Sequence, residues 1–290
     1  MQIERDLQNN TIQLSQNKYI NKQLHKFMVP VKPADPQRKV VPITKAAYAD
    51  VVNEQSKRAE SILDKKKYPY RSLVGSLLYA NVCARPDISF ALSTLATHNA
   101  DPRMMHWNAL VDLLRYLRDT QDFKITYGRL SSTETKNIIS IYADADFAMD
   151  VIGRKSRTGY VIFLNGGAIA WNSSLQSIVA QSTSEAELYA MVAAVNTAMQ
   201  LKHFLEELGY PQGQLQAYED NTGCIDWIVN QRASSRMKHI ELKYHVIREL
   251  QDKLLCKFNH IETRLQKADF ATKQMDYANH NPQMKMLYNI

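Results

Sequence analysis

The chain has 290 residues, enough for substantial buried cores and about two domains. At 45% hydrophobic and 22% charged residues it has the composition of an ordinary globular protein. No run of ~18 or more apolar residues is present, which argues against a transmembrane helix. The net charge of +7 is uneven: residues 1–128 hold 19 Lys+Arg against 12 Asp+Glu, whereas 129–290 hold 17 of each. A basic first half suits a polyanion partner through counterion release, and equally an ordinary solvated surface.

In chain order, residues 2–7 and 11–16 alternate apolar and polar around Gln8-Asn9-Asn10, which predicts a hairpin. Tyr19, Ile20, Leu24 and Phe27 are spaced for a helix over 16–28. Prolines at 30, 33 and 36 predict an irregular connector over 29–41, and 42–67 has helical patches ending in Lys65-Lys66-Lys67. Helices follow over 70–83, 86–98 and 102–120, the second with Pro86 and Asp87 in its first turn. Arg129 to Lys136 is polar and rich in Ser and Thr, so it is read as a linker.

Beyond it, Asn137 to Ala143 is rich in β-branched residues and reads as a buried strand running into Asp144-Ala145-Asp146. Strands over 158–164 and 168–171 flank Asn165-Gly166-Gly167, a hairpin signal because glycine supplies positive φ. A long helix opens near Gln181. A short strand over 214–218, a helix over 221–231, a basic loop over 232–238, a helix over 241–255, a strand over 256–261 and a short helix over 265–273 complete the series. Cys83, Cys224 and Cys256 are dispersed with no Cys-x-x-Cys, so free thiols in a reducing intracellular compartment are expected and a zinc site is not. The first residues lack the basic and apolar regions of a signal peptide.

Tyr142-Ala143-Asp144-Ala145-Asp146, Arg154 to Tyr160, Gly166 to Trp171 and Ser182 to Glu187 resemble the ribonuclease H region of copia-type LTR retrotransposon polyproteins. The resemblance continues through Tyr218-Glu219-Asp220-Asn221, Lys238-His239-Ile240-Glu241 and Ala268 to Lys273. Tyr70 to Tyr79, Ala84-Arg85-Pro86-Asp87 and Leu114 to Arg118 resemble the segment between palm and ribonuclease H in the same polyproteins. It implies an α/β fold, a mixed five-stranded sheet with flanking helices, preceded by a mainly helical thumb- and connection-like region. The implied division is 1–128 as the end of a reverse transcriptase, 129–136 as linker, 137–280 as ribonuclease H domain and 281–290 as tail. No adjacent Asp-Asp pair occurs in the chain, so polymerase chemistry is not expected of it.

The implied activity is metal-dependent cleavage of the RNA strand of RNA–DNA hybrids, with Mg²⁺ as cofactor (two ions) and Mn²⁺ as a substitute. Two-metal hydrolysis needs three or four carboxylates around hard cations. The expected set is Asp144, Glu187, Asp220 and Asp269, with Asp146 and Glu219 as rivals to the first and third. Helical spacing separates Glu187 from Glu185: Met191, Ala194, Val195, Ala198, Leu201 and Leu205 share the face of Glu187, leaving Glu185 on the solvent side. Asp269 is singled out by the resemblance alone. Pleat alternation predicts that only one of Glu219 and Asp220 joins the site.

Ser182, Thr183 and Ser184 are expected at the minor groove of the hybrid, where 2′-hydroxyls are displayed, and Arg154, Lys155 and Arg157 at phosphates. His260 is read as structural, and His239 and His245 as packing or nucleic-acid contacts. Expected partners are the hybrid and the rest of a reverse transcriptase, with no membrane; virus-like particles or the nucleus are the further locations considered. Two alternatives stay open. A DEDD exonuclease would need a Tyr or His about four to five positions before the last Asp, where Arg264 and Leu265 stand. The other is a non-catalytic remnant or co-opted nucleic-acid-binding protein.

Overall fold

The computed structural model describes residues 1–31, 38–53, 61–128, 137–150, 153–229 and 241–290. The expected linker 129–136, the basic loop 232–238 and the motif residues Lys238, His239 and Ile240 lie outside these. Two compact units are formed, residues 1–126 with 273–290, and residues 127–272.

The first unit opens with the expected hairpin, β1 (Gln2–Asp6) and β2 (Thr11–Ser15), paired antiparallel. Helices α1 (Asn17–Lys26), α2 (Lys45–Val52), α3 (Tyr70–Ala84), α4 (Ser89–Ala96) and α5 (Met104–Asp119) follow. A short β3 (Ile125–Tyr127) joins the hairpin sheet beside β2. The helix expected over 86–98 begins as a 3-10 turn, Pro86–Ile88, because Arg85 and Asp87 are turned inward there. Asp87 accepts from Arg85 Nε (2.9 Å) and Nη2 (2.6 Å), from Tyr116 Oη (2.8 Å) and from Tyr288 Oη (2.5 Å). Arg85 also donates to the hydroxyl (2.6 Å) and carbonyl of Thr120. Each charged group is met by several hydrogen bonds, which is what a buried ion pair requires.

Tyr288 belongs to a helix not expected from the sequence. This last helix (Tyr277–Tyr288) is capped by Asp276, whose side chain accepts from Asn279 N. It buries His280, Gln283, Met284, Leu287 and Tyr288 in the first unit.

The second unit is built on a mixed five-stranded sheet: β4 (Ser140–Asp146), β5 (Arg157–Leu164), β6 (Gly167–Leu175), β7 (Leu215–Glu219) and β8 (Cys256–His260). The spatial order is β6-β5-β4-β7-β8, with β6-β5-β4 antiparallel and β4-β7-β8 parallel. This is the ribonuclease H-like arrangement implied by the resemblance. Asn165 (φ 51°) and Gly166 (φ 83°) make the two-residue turn between β5 and β6, a geometry that needs positive φ at both positions.

The long helix α6 (Thr183–Glu207) packs one face of the sheet. Ser182 caps its start, accepting from Glu185 N (3.2 Å). Its end is a Schellman motif: Gly209 (φ 84°) donates to Glu206 O (2.9 Å) and Tyr210 N to Leu205 O (2.8 Å). Met191, Ala194, Val195 and Ala198 are buried in one core with Ile141, Ala143, Ile162 and Ala217. Helices α7 (Thr222–Val229) and α8 (Glu241–Asp252) supply the crossover that parallel β7 and β8 require. The short helix expected over 265–273 is two 3-10 turns, Thr263–Leu265 and Asp269–Ala271.

Candidate active site

Alternation along β4 sets Ile141 and Ala143 toward α6, and Tyr142 and Asp144 toward the other face. Tyr142 stacks on Tyr218, its level partner on β7, with ring centroids 4.9 Å apart. The parallel register pairs Ser140 with Gln216, Ile141 with Ala217 and Tyr142 with Tyr218. The pairing ends there: Asp144 lies two residues beyond Tyr142 on β4, and Asp220 directly follows Glu219, the last residue of β7. Asp144 is buried, at 2% exposure, and Asp220 is half-buried.

Asp269 is half-buried on its 3-10 turn, and its backbone is tied to this face. Thr272 Oγ1 donates to Asp144 Oδ2, and the Thr272 amide donates to Asp269 O at 3.2 Å. One residue therefore links the two aspartates. Asp146, the rival of Asp144, is half-buried at the strand end, opposite Arg157.

Glu187 comes from the α6 side and is buried, as its helical phase predicts. Glu185 does not face solvent as expected. It is 3% exposed, and its Oε2 accepts from Gln181 N at 2.8 Å. Side-chain capping turns it back over the helix start, and Ser182 completes a variant of the capping box.

Glu219 departs further from expectation. It is fully buried, and its Oε1 accepts from the amides of Asp220 (3.1 Å) and Asn221 (3.0 Å). Its Oε2 finds no hydrogen-bond partner among the described residues. Burial, together with the negative charges of Asp144 and Asp220, pushes its carboxyl well above the usual range. The strand ends at Glu219, so alternation no longer governs Asp220. Cys224, wholly buried, is held up first by burial and then by the charges of Glu219 and Glu187, which places those two carboxylates around one thiol.

The donors are carboxylate oxygens, the ligand type a hard divalent cation takes. Among the described residues, no group of three or more His, Cys, Asp or Glu side chains is arranged as a ready metal cage. Chemical type fits a cation, then, while convergence of the side chains is incomplete.

The expected nucleic-acid contacts divide. Arg154 is exposed and Lys155 half-buried. Arg157 is 2% exposed, with Nη1 donating to Ser173 Oγ (3.1 Å) and Nε to Met149 Sδ (3.4 Å), so it is a structural side chain and not a phosphate contact. Thr183 is exposed, Ser182 is the cap, and Ser184 Oγ donates to Asn221 Oδ1 at 3.1 Å. Asn221 Oδ1 also accepts from Cys224 N (2.9 Å), tying the start of α7 to the start of α6. His260 Nε2 lies 3.2 Å from Asp220 O, a supporting contact. Three residues around the carboxylates have no role assigned from the sequence: Gly159 and Thr272, which lie within the quoted motif stretches, and Gln266, which lies outside them. A glycine inside an apolar strand was the available clue, since it often marks a close backbone approach.

No family model matches the chain. Among curated relatives, the retrovirus-related Pol polyprotein from transposon TNT 1-94 of Nicotiana tabacum is 38% identical over 275 residues, 94% of this chain and 20% of the relative. That from transposon RE2 of Arabidopsis thaliana is 36% identical over 208 residues, 71% of this chain and 14% of the relative. The chain thus spans a fifth or less of the length of these two polyproteins. Among solved structures, LC11-RNase H1 in complex with RNA/DNA hybrid aligns with 46% of this chain and 93% of its own, at 16% identity and a TM-score of 0.37. Over most of its length the chain is thus homologous to copia-type retrovirus-related Pol polyproteins of plant transposons.

Proposed function

We propose that residues 127–272 are the ribonuclease H of a retrotransposon polyprotein, cleaving the RNA strand of RNA–DNA hybrids with divalent cations. The observation that supports this reading is the Asp144 carboxylate, buried on β4 beside parallel β7 and tied through Thr272 to the backbone of Asp269. Asp144, Asp220, Asp269 and Glu187 are the residues that would hold Mg²⁺, or Mn²⁺ in its place. When bound, such cations activate a water and stabilise the leaving oxygen. The chain's own residues supply the frame. Asp144 is fixed by the Thr272 hydroxyl, and Glu219 braces the backbone of Asp220 and Asn221 through its two accepted amide bonds. Glu187 is carried by a capped helix whose buried face fixes its direction. Thr183, Ser184 and Asn221, at the starts of α6 and α7, would meet 2′-hydroxyls, and Arg154 and Lys155 would meet phosphates. Residues 1–126 with 273–290 are read as the thumb- and connection-like end of a reverse transcriptase, and their basic surface as a hold on the same hybrid.

A second reading, a nucleic-acid-binding protein without catalysis, is favoured by one observation, the incomplete convergence of the carboxylates. Incubating the full chain with end-labelled RNA–DNA hybrid, duplex RNA and duplex DNA, with Mg²⁺ and with EDTA, separates the two. Cleavage of the RNA strand of the hybrid alone, and only with Mg²⁺, supports the first reading. Tight hybrid binding without cleavage in Mg²⁺ or Mn²⁺ supports the second.

A further inference from the structure

Asp269 sits on a 3-10 turn of three residues, Asp269–Ala271, which is too short to fix its own place. Three residues dock it. Gln266 is wholly buried; its Nε2 donates to Ala143 O (2.8 Å), and its Oε1 accepts from Ala268 N (3.2 Å). One side chain thereby joins the residue preceding Asp144 to the residue preceding Asp269. Thr272, also wholly buried, closes the other end of the turn. Its Oγ1 lies near both Asp144 Oδ2 and Asp269 O (3.2 Å). A hydroxyl has one proton to give, and the carboxylate is the stronger acceptor, so the proton goes to Asp144.

Gly159 provides the surface on which the turn rests. It pairs with Asp144 across β4 and β5, so both face the same side of the sheet. A Cβ at this position would lie 2.5 Å from Thr272 Cγ2, 2.9 Å from Ala271 Cβ and 3.1 Å from the Ala271 carbonyl carbon. The last is backbone, so no side-chain rotation relieves the crowding; any larger residue lifts the turn off the strand.

We propose that Gln266, Thr272 and Gly159 form a latch that docks the Asp269 turn on the end of β4 and sets the geometry between Asp144 and Asp269. They are positioning residues; none is placed as a cation ligand. The proposal rests on the reading of these aspartates as a divalent-cation site.

The experiment uses the full chain as wild type, Thr272→Val, Thr272→Ser and Gly159→Ala, with three readouts. Hydrogen exchange of peptides covering 262–275 is measured in metal-free protein, Mn²⁺ binding by electron paramagnetic resonance, and hybrid cleavage as separate kcat and KM. Thr272→Val keeps the side-chain shape and removes the proton donor. It is expected to speed exchange in 266–272 before any cation is added, to weaken Mn²⁺ binding by about 10–100-fold, the usual cost of losing an outer-shell partner, and to lower kcat with KM unchanged. Thr272→Ser retains the hydroxyl and should restore most of all three, while Gly159→Ala should reproduce the Val phenotype by crowding. Wild-type exchange and wild-type Mn²⁺ affinity in both Thr272→Val and Gly159→Ala would overturn the latch. So would an impaired Thr272→Ser beside a wild-type Thr272→Val, since Val keeps the methyl that Ser lacks and packing of that methyl would then be what matters. If the wild type neither binds Mn²⁺ nor cleaves hybrid, the cation-site reading fails, and the metal-free exchange still decides the latch on its own.

Discussion

Replacing Asp87 by Asn tests whether the buried network is what fastens the last helix into the first unit. Asp87 has no exposed side-chain surface and takes hydrogen bonds from Arg85, Tyr116 and Tyr288. The amide preserves shape but leaves the Arg85 guanidinium buried, with Thr120 as its remaining strong acceptor. Breaking a buried pair by neutralising one member costs about 3–5 kcal/mol, because the other charge is left uncompensated. With a urea slope of roughly 2 kcal/mol/M, that is a midpoint shift of about 2 M. Trp107 is the one tryptophan in the first unit, with Trp171 and Trp227 in the second. Trp107 fluorescence in a Trp171→Phe, Trp227→Phe background therefore reports on the first unit alone. Tyr288→Phe, which deletes one hydrogen bond to a charged group, should cost about 1.5–3 kcal/mol. The double variant should cost less than the sum, since both act on one network. A shift for Asp87→Asn below about 0.5 M, or strict additivity with Tyr288→Phe, would refute the role given to the network.

Three further outcomes are expected. Glu187→Gln should abolish Mg²⁺-dependent hybrid cleavage, whereas Glu185→Gln keeps a carbonyl for Gln181 N and should cleave near wild-type rate; Glu185→Ala, lacking the cap, should lose about 1 kcal/mol of stability in thermal melts of the second unit. His280 is held down to about 4 by burial, so the fold requires its neutral form. Because the unfolded chain then binds the extra proton, first-unit stability should be full above about pH 6.5 and fall toward pH 4, at up to ~1.4 kcal/mol per pH unit; urea melts should show this slope and His280→Gln should flatten it. Hybrid binding by the full chain, measured in Ca²⁺, should weaken with salt, each neutralised phosphate adding about 0.7–0.9 to the log–log slope. Charge-reversal of Lys65, Lys66 and Lys67 should reduce that slope if the basic half holds substrate, and an unchanged slope would make their charge ordinary surface.

The sheet is legible in the sequence because its signals are local. Ile138, Ile139 and Ile141 mark the entry into β4, and Asn165-Gly166 suits a tight hairpin turn. The burial of Glu187 follows from helical spacing alone. Glu185 defeats the same spacing for the opposite reason: spacing describes the helix body, while side chains in the first turn bend back to the orphan amides. Pleat alternation does not reach Asp220, because the strand stops at Glu219 and a strand end has no local signature. The last helix is hidden by Pro282 inside it and by a sparse apolar pattern, Met284, Leu287 and Tyr288. Its place comes from Asp87, some two hundred residues away in sequence, a relation no window of sequence contains. Gln266 and Thr272 likewise act across more than a hundred residues, on Ala143 and Asp144.

The most direct measurement compares hybrid cleavage in Mg²⁺ by the wild type, Asp144→Asn and Asp146→Asn, with circular dichroism to confirm that each is folded. Asp144 is buried on β4, while Asp146, the last residue of that strand, is half-buried. The wild type is expected to cut the RNA strand, Asp144→Asn to be folded and inactive, and Asp146→Asn to retain cleavage. Activity surviving in Asp144→Asn, or lost only in Asp146→Asn, would contradict the assignment of Asp144 to the site.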